Sequence, residues 1–162
     1  MKINRFAFVN NHLSVEDDID FSLAKLDPGH IRKISNTHVK VEGEEYDEII
    51  YLSIDISCDA IGVCSYTLED VPLHLHFKDS LEFSNEIKDD EDIIYVDKPI
   101  FEIDEYILEL IIAEVPLKLV KKGAKLPSSG VDYRVISEDE YLKEKSKKVD
   151  SRWSKLDDIE IE

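Results

Sequence analysis

Cysteine is scarce: the 162-residue sequence has two, Cys58 and Cys64. With no framework of spacings around them, they fit reduced thiols and not a disulfide-stapled scaffold. Glycine is scarce too, at five residues, and none of them falls in a P-loop or a glycine-rich dinucleotide turn. No apolar run approaches the roughly eighteen residues that span a bilayer. The opening residues KINRFAFV lack the regions of an export signal. Neither export nor membrane insertion is expected, and the expected location is the cytoplasm. No Ser-His-Asp set can be placed, so an enzyme is not expected and no cofactor is implied.

Positive charge is also in short supply. Lys and Arg number 20 against 37 Asp and Glu, a net charge of −17. Such an acidic chain repels polyanions, because phosphate contacts need Lys and Arg. The distribution is uneven. Residues 1–116 hold 9 Lys or Arg against 27 acids (−18), residues 117–148 hold 9 against 5 (+4), and residues 149–162 hold 2 against 5 (−3). A nucleic acid therefore has one plausible place to bind, the 117–148 segment, through Lys121, Lys122, Lys125 and Arg134. The bland reading of the same stretch is a solvated, lysine-flanked connector.

What the sequence has in quantity is apolar material, at 43%, enough for one sizeable core. The first 85 residues read mostly as strands. Residues 2–9 have strand-like content and end in the polar turn NNHLS. The acidic stretch after it allows a short helical turn over residues 21–26 before an Asp-Pro-Gly turn. Thr37, Val39 and Val41 alternate with polar residues up to Gly43. EGEEYDE turns the chain. Ile50, Leu52, Ile54, Ile56, Cys58 and Ala60 then mark one long two-faced strand.

Residues 62–77, GVCSYTLEDVPLHLHF, hold one cysteine and two histidines, which raises the question of a metal site. If the strand continues to Cys64, the two thiols share a face about 20 Å apart, at roughly 3.3 Å per residue. If CDAIG is a hairpin turn, they face each other. Val71, Leu73, Leu75 and Phe77 form the apolar side of the next strand, leaving His74, His76 and Lys78 on the outer face. Zinc needs three or four converging ligands, so no metal is expected here. Pro72 suits a strand start or a sheet edge.

After the acidic linker NEIKDDEDIIYVDKP the period changes. Ile103, Ile107, Leu110, Ile111 and Val115 recur at helical spacing, with Asp104 as the expected N-cap and Pro116 as the stop. Leu108, Ile112 and Ala113 widen the apolar face, and Glu105, Glu109 and Glu114 take the solvated side. A Gly, Pro and Ser-rich connector follows, and Ser137 with Glu140 has capping-box spacing for a short helix to Lys147. In the tail, Trp153, Leu156 and Ile159 form an apolar stripe that docks either on its own domain or on a partner, with Asp150 and Arg152 beside it. The expected fold is α+β: a curved antiparallel β-sheet or partly open barrel packed by one main amphipathic helix, with a helical C-terminal tail. The domain boundary is expected between a β-rich core over 1–116 and a basic connector and tail over 117–162.

The strand ending in THVKVEG, the segment Cys64-Ser65-Tyr66-Thr67-Leu68-Glu69, the strand reaching Phe83, the helix EIDEYILELIIAEVPL and the tail VDSRWSKL together resemble the YceD family, the large ribosomal RNA subunit accumulation proteins. The likeness spans roughly residues 37–156. The turn containing Cys64, Thr67, Leu68 and Glu69 is its most specific element. Many relatives carry Cys-x-x-Cys there, whereas this chain has Tyr66-Thr67 after Cys64. The family's Asp-Pro-Arg is Asp150-Ser151-Arg152 here. The resemblance implies a cytoplasmic, non-enzymatic factor for accumulation or processing of large-subunit (23S) ribosomal RNA. Two mechanisms follow as expectations: contact with pre-ribosomal RNA, or an acidic adaptor holding a basic ribosomal protein or rRNA-processing enzyme.

Overall fold

In the computed structural model, which describes residues 1–87 and 92–147, a five-stranded sheet carries most of the chain. Its strands are β2 (His12–Ile19), β3 (Ile31–Tyr46), β4 (Ile49–Val63), β5 (Asp70–Ser84) and β6 (Ile93–Tyr95), hydrogen-bonded in that order. All pairs are antiparallel except β5 with β6. β2 and β6 lie at opposite ends of the order, so the sheet is open and not a barrel. A second, two-stranded sheet pairs β1 (Lys2–Asn4) with β7 (Ile100–Glu102). Two helices follow, α1 (Asp104–Glu114) and α2 (Glu138–Lys147). The chain divides into two compact units, Met1–Lys121 and Lys122–Glu162, and α2 belongs to the second.

The long strands obey their alternation. Every even residue of β4 from Ile50 to Ala60 is buried, and so are Thr37, Val39 and Val41 on β3, the last two opposite Ile56 and Ile54. The β3–β4 hairpin closes on Asp47 and Glu48, with φ of 50° and 67°, the left-handed pair that matches the twist of the flanking strands. Asn10 and Asn11 make the same kind of turn, at φ 52° and 65°, between Val9 and His12. β4 runs unbroken through CDAIG, so that stretch is no hairpin turn and the two thiols do not face each other.

Three expectations need correction. β2 is a strand where the sequence reading assigns the acidic stretch no element; its partly buried Leu13, Val15 and Ile19 pair opposite β3. Residues 21–26 hold one short turn, as the sequence allows, with the Ala24 N–H donating to the Phe21 carbonyl at 3.0 Å. The acidic linker contains β6, and β7 follows it directly. The α1 N-cap is Ile103, which has no side chain able to cap, and Asp104 is the first helical residue, accepting a bond from the Met1 amino group.

An eleven-residue helix is about 16 Å long, whereas a fifteen-residue strand runs about 50 Å. α1 therefore covers only part of the inner face. It inserts Ile103, Ile107, Ile111 and Val115, all at most 2% exposed, with Glu105, Glu109, Ala113 and Glu114 outside. Phe83 anchors this end against Phe101 and Tyr106, ring centroids 4.8 and 5.4 Å away. Elsewhere the face is closed by Phe21 and Leu26 from the 20–30 loop and by Leu119. Along β5 the cover thins: Val71, Leu73, Leu75 and Phe77 are only half-buried. In the second unit, the Glu140 N–H donates to Ser137 Oγ at 3.2 Å and the Ser137 N–H to Glu140 Oε2 at 3.1 Å. That is the reciprocal capping box that opens α2.

Candidate functional site

Residues 64–69 link β4 to β5 and carry the turn singled out in the sequence. The Cys64 N–H donates to the Glu69 carbonyl and the Leu68 N–H to the Cys64 carbonyl, each at 2.9 Å. Leu68 sits at φ 58° with its side chain 68% exposed. A branched residue in the left-handed region carries a steric cost of roughly 1–2 kcal/mol, so the turn holds it there by its hydrogen bonds. Arg32, from β3, adds a bond from Nη2 to the Leu68 carbonyl at 2.9 Å and pairs through Nη1 with Asp70.

The segment after α1 completes the turn. Ser65 donates its N–H to the Leu119 carbonyl at 2.7 Å, and the Lys121 N–H donates to Cys64 Sγ at 3.4 Å. Lys121 Nζ then reaches Glu69 Oε2 at 3.1 Å, where the Thr67 hydroxyl also donates at 3.2 Å. Cys64 is fully buried. The Lys121 N–H and then the Thr67 hydroxyl stabilise its thiolate, bringing the thiol down to about 7 from an ordinary 9.0. Cys58, beneath the sheet, goes the other way: burial, aided by Asp59, pushes it up to about 11. Both cysteines are free.

The outer face of the sheet holds four histidines, each against carboxylates, His12 among them with Nδ1 3.4 Å from Glu44. His38 Nδ1 lies 2.8 Å from Asp18 and Nε2 3.1 Å from Glu16, His74 Nδ1 2.8 Å from Asp59, and His76 Nε2 2.9 Å from Asp55, which Lys78 also meets at 2.9 Å. His74 and His76 are exposed and point the same way. Among the described residues no three His, Cys, Asp or Glu side chains converge as a metal's ligands. No described helix is long and apolar enough to cross a membrane.

The residues expected to meet phosphates divide. Lys121 belongs to the first unit and is tied to the Glu69 turn. Lys122, Lys125 and Arg134 belong to the second; all three are exposed, and Arg134 Nη1 bonds Glu144 at 2.7 Å. Asp150, Arg152, Trp153 and Leu156 lie outside the described residues. Sequence reasoning marked Lys121 only as a phosphate ligand and missed Arg32. The chain separation of 57 residues between Lys121 and Cys64 leaves no local pattern to read.

Residues 52–160, which include the turn, α1 and the connector, match the family described as large ribosomal RNA subunit accumulation protein YceD. The chain is also 31% identical over 138 residues to the uncharacterized protein YlbN of Bacillus subtilis (strain 168), an overlap covering 80% of this chain and 77% of that protein. No solved structure matches. The chain belongs to the YceD family.

Proposed function

We propose that this protein is a non-enzymatic, cytoplasmic factor for accumulation of large-subunit ribosomal RNA, and that it acts by holding a basic protein of the assembling large subunit and not by gripping RNA itself. The family's description supports the process. One observation carries the mechanism: the acid excess of the part of the chain that forms the sheet, 27 Asp and Glu against 9 Lys and Arg over residues 1–116. A field of that sign steers cationic partners and repels phosphate.

The expected phosphate ligands do not offset it. Lys121 and Arg134 already face Glu69 and Glu144. Exposed pairs of this kind are worth only about 0–1 kcal/mol, so RNA has little to overcome in breaking them. The decisive term is the long-range repulsion. The contrary reading, direct pre-ribosomal RNA contact through 117–148, draws on the local excess of 9 basic against 5 acidic residues.

Binding measured against protein-free 23S RNA and against purified large-subunit proteins separates the two. Retention of a basic protein, with no RNA shift that depends on Lys121, Lys122, Lys125 and Arg134, supports the adaptor. Salt-sensitive RNA binding that is abolished by reversing those four charges replaces the adaptor with the RNA mechanism.

A further inference from the structure

β5 pairs with β4 along its whole length, from Asp70 to Ser84. On its other side β6 covers only Glu82, Phe83 and Ser84. Among the described residues no strand adjoins β5 from Asp70 to Leu81. A row of unpaired backbone groups along a strand invites pairing with another chain, and proteins usually blunt such edges with proline, inward charges or shortness. β5 is blunted only at its ends. Pro72 sits near one end, and Asp79 falls on the inner face near the other, in register with buried Ile54. Between them Leu73, Leu75 and Phe77 are half-buried on that inner face. The opposite edge, β2, is unlike it: eight residues long, with Glu16, Asp17 and Asp18 in succession.

Charge decides what fits. Asp79 and Glu82 meet no cation among the described residues; Asp79 bonds only the neighbouring Ser80 N–H, at 2.8 Å. A second copy would bring a net −17 against a net −17. RNA is repelled by the same field and has no amide ladder to offer. We propose that the open edge of β5 over residues 73–79 receives an extended, lysine- or arginine-bearing segment of a partner protein as an added strand. Its alternate apolar side chains cover Leu73, Leu75 and Phe77, and a cationic side chain in the same row meets Asp79. Main-chain bonds supply affinity and this apolar-then-cationic order supplies selectivity. The assignment deepens the adaptor reading and rests on it.

The test uses the full chain with a short acetylated and amidated peptide whose one face carries three valines at alternate positions flanked in the same row by a lysine at each end, with threonine at the intervening positions, and a counterpart with glutamate in place of both lysines as control. Hydrogen exchange of the backbone amides is the readout. The lysine peptide is expected to slow exchange at 73–79 by about tenfold or more, leaving β2 unchanged. The glutamate peptide is expected to leave both unchanged. Asp79→Lys, checked by thermal melting for an intact fold, is expected to weaken the lysine peptide by about tenfold. Protection elsewhere, equal protection by both peptides, unchanged exchange at 73–79, or an edge protected without peptide in a species of doubled mass each overturns the proposal. If a basic large-subunit protein is retained while 73–79 exchange as before, this edge assignment falls and the adaptor function stands. If the lysine peptide protects the edge but no large-subunit protein is retained, the adaptor function falls instead.

Discussion

The backbone N–H of Lys121 donates to the sulfur of Cys64 across 3.4 Å, while the side chain of the same lysine reaches Glu69 at 3.1 Å. One residue after α1 thus fixes both ends of the turn between β4 and β5. The main chain stabilises a buried thiolate and the ammonium neutralises a carboxylate. The Thr67 hydroxyl adds to this closure, lying beside the same sulfur and bonding the same carboxylate.

The thiol is the most direct readout of that arrangement. Cys64 is expected to titrate near 7 and Cys58 near 11, resolved by ultraviolet thiolate absorbance of the single Cys→Ser variants. Thr67→Val removes one donor and raises the Cys64 value. Because the folded value lies below the ordinary 9.0, Cys64 contributes stability that is fully present above 9 and is lost as pH falls through 7. Denaturant midpoints should therefore rise between pH 7 and 9 in the parent and rise less in Thr67→Val. A parent midpoint that stays flat across that window contradicts the thiolate assignment.

Leu68 supplies a second expectation. Its φ of 58° costs a leucine roughly 1–2 kcal/mol that glycine does not incur, and its exposed side chain returns little burial energy. Leu68→Gly is expected to be neutral or stabilising by up to about 1 kcal/mol in denaturant unfolding. A clear loss would mean the side chain packs more than its 68% exposure implies.

The sequence was most readable where one period ran undisturbed. The alternation from Ile50 to Ala60 matched β4, and the spacing of Ile103, Ile107, Ile111 and Val115 matched α1, because burial of one face is what selects such patterns. β3 looked shorter than it is because register shifts between Ile31 and Lys33 and between Ser35 and His38, with Asn36 at φ 51°, break the alternation at its start. β2 was hidden by Glu16, Asp17 and Asp18, residues that disfavour strands but are tolerated at an edge whose outer neighbours are His38 and Lys40. β6 and β7 are three residues each, too short for any period. The turn at Cys64 was legible as a motif, but its closure by Lys121 and Arg32 was not, since those contacts are made by tertiary packing.

His38 offers a check on the outer face. Its imidazole is hydrogen-bonded by Asp18 and lies beside Glu16, and the Asp18 bond chiefly holds its titration above the ordinary 6.5. A raised folded value gives stability that is fully present below 6.5 and is lost as pH rises through the elevated value. Asp18→Asn should bring the His38 midpoint back toward 6.5 in an NMR titration, leaving Glu16 as the remaining anion. A midpoint unmoved by the substitution would assign the shift to Glu16 instead.

Gly62 couples the sheet to the turn. A Cβ built on it falls 2.2 Å from Leu119 Cδ1 and 3.4 Å from Leu73 Cδ1, with the His30 carbonyl oxygen at 3.7 Å. The close neighbour is the end of a leucine side chain held in the core, so Gly62→Ala pushes on Leu119 and through it on the main chain leading to Lys121. Leu119 closes the core at 8% exposure, and its own carbonyl holds Ser65 at 2.7 Å, two residues before Lys121 reaches Cys64. Overpacking of this kind costs about 1–3 kcal/mol. In a double-mutant cycle, Gly62→Ala is expected to cost that much in the parent and close to nothing in Leu119→Ala, where the space is already open. The same substitution should raise the Cys64 midpoint, because moving Leu119 loosens the N–H that stabilises the thiolate. Equal costs in both backgrounds, with an unchanged thiol midpoint, would show that Leu119 does not transmit packing under β4 to the turn.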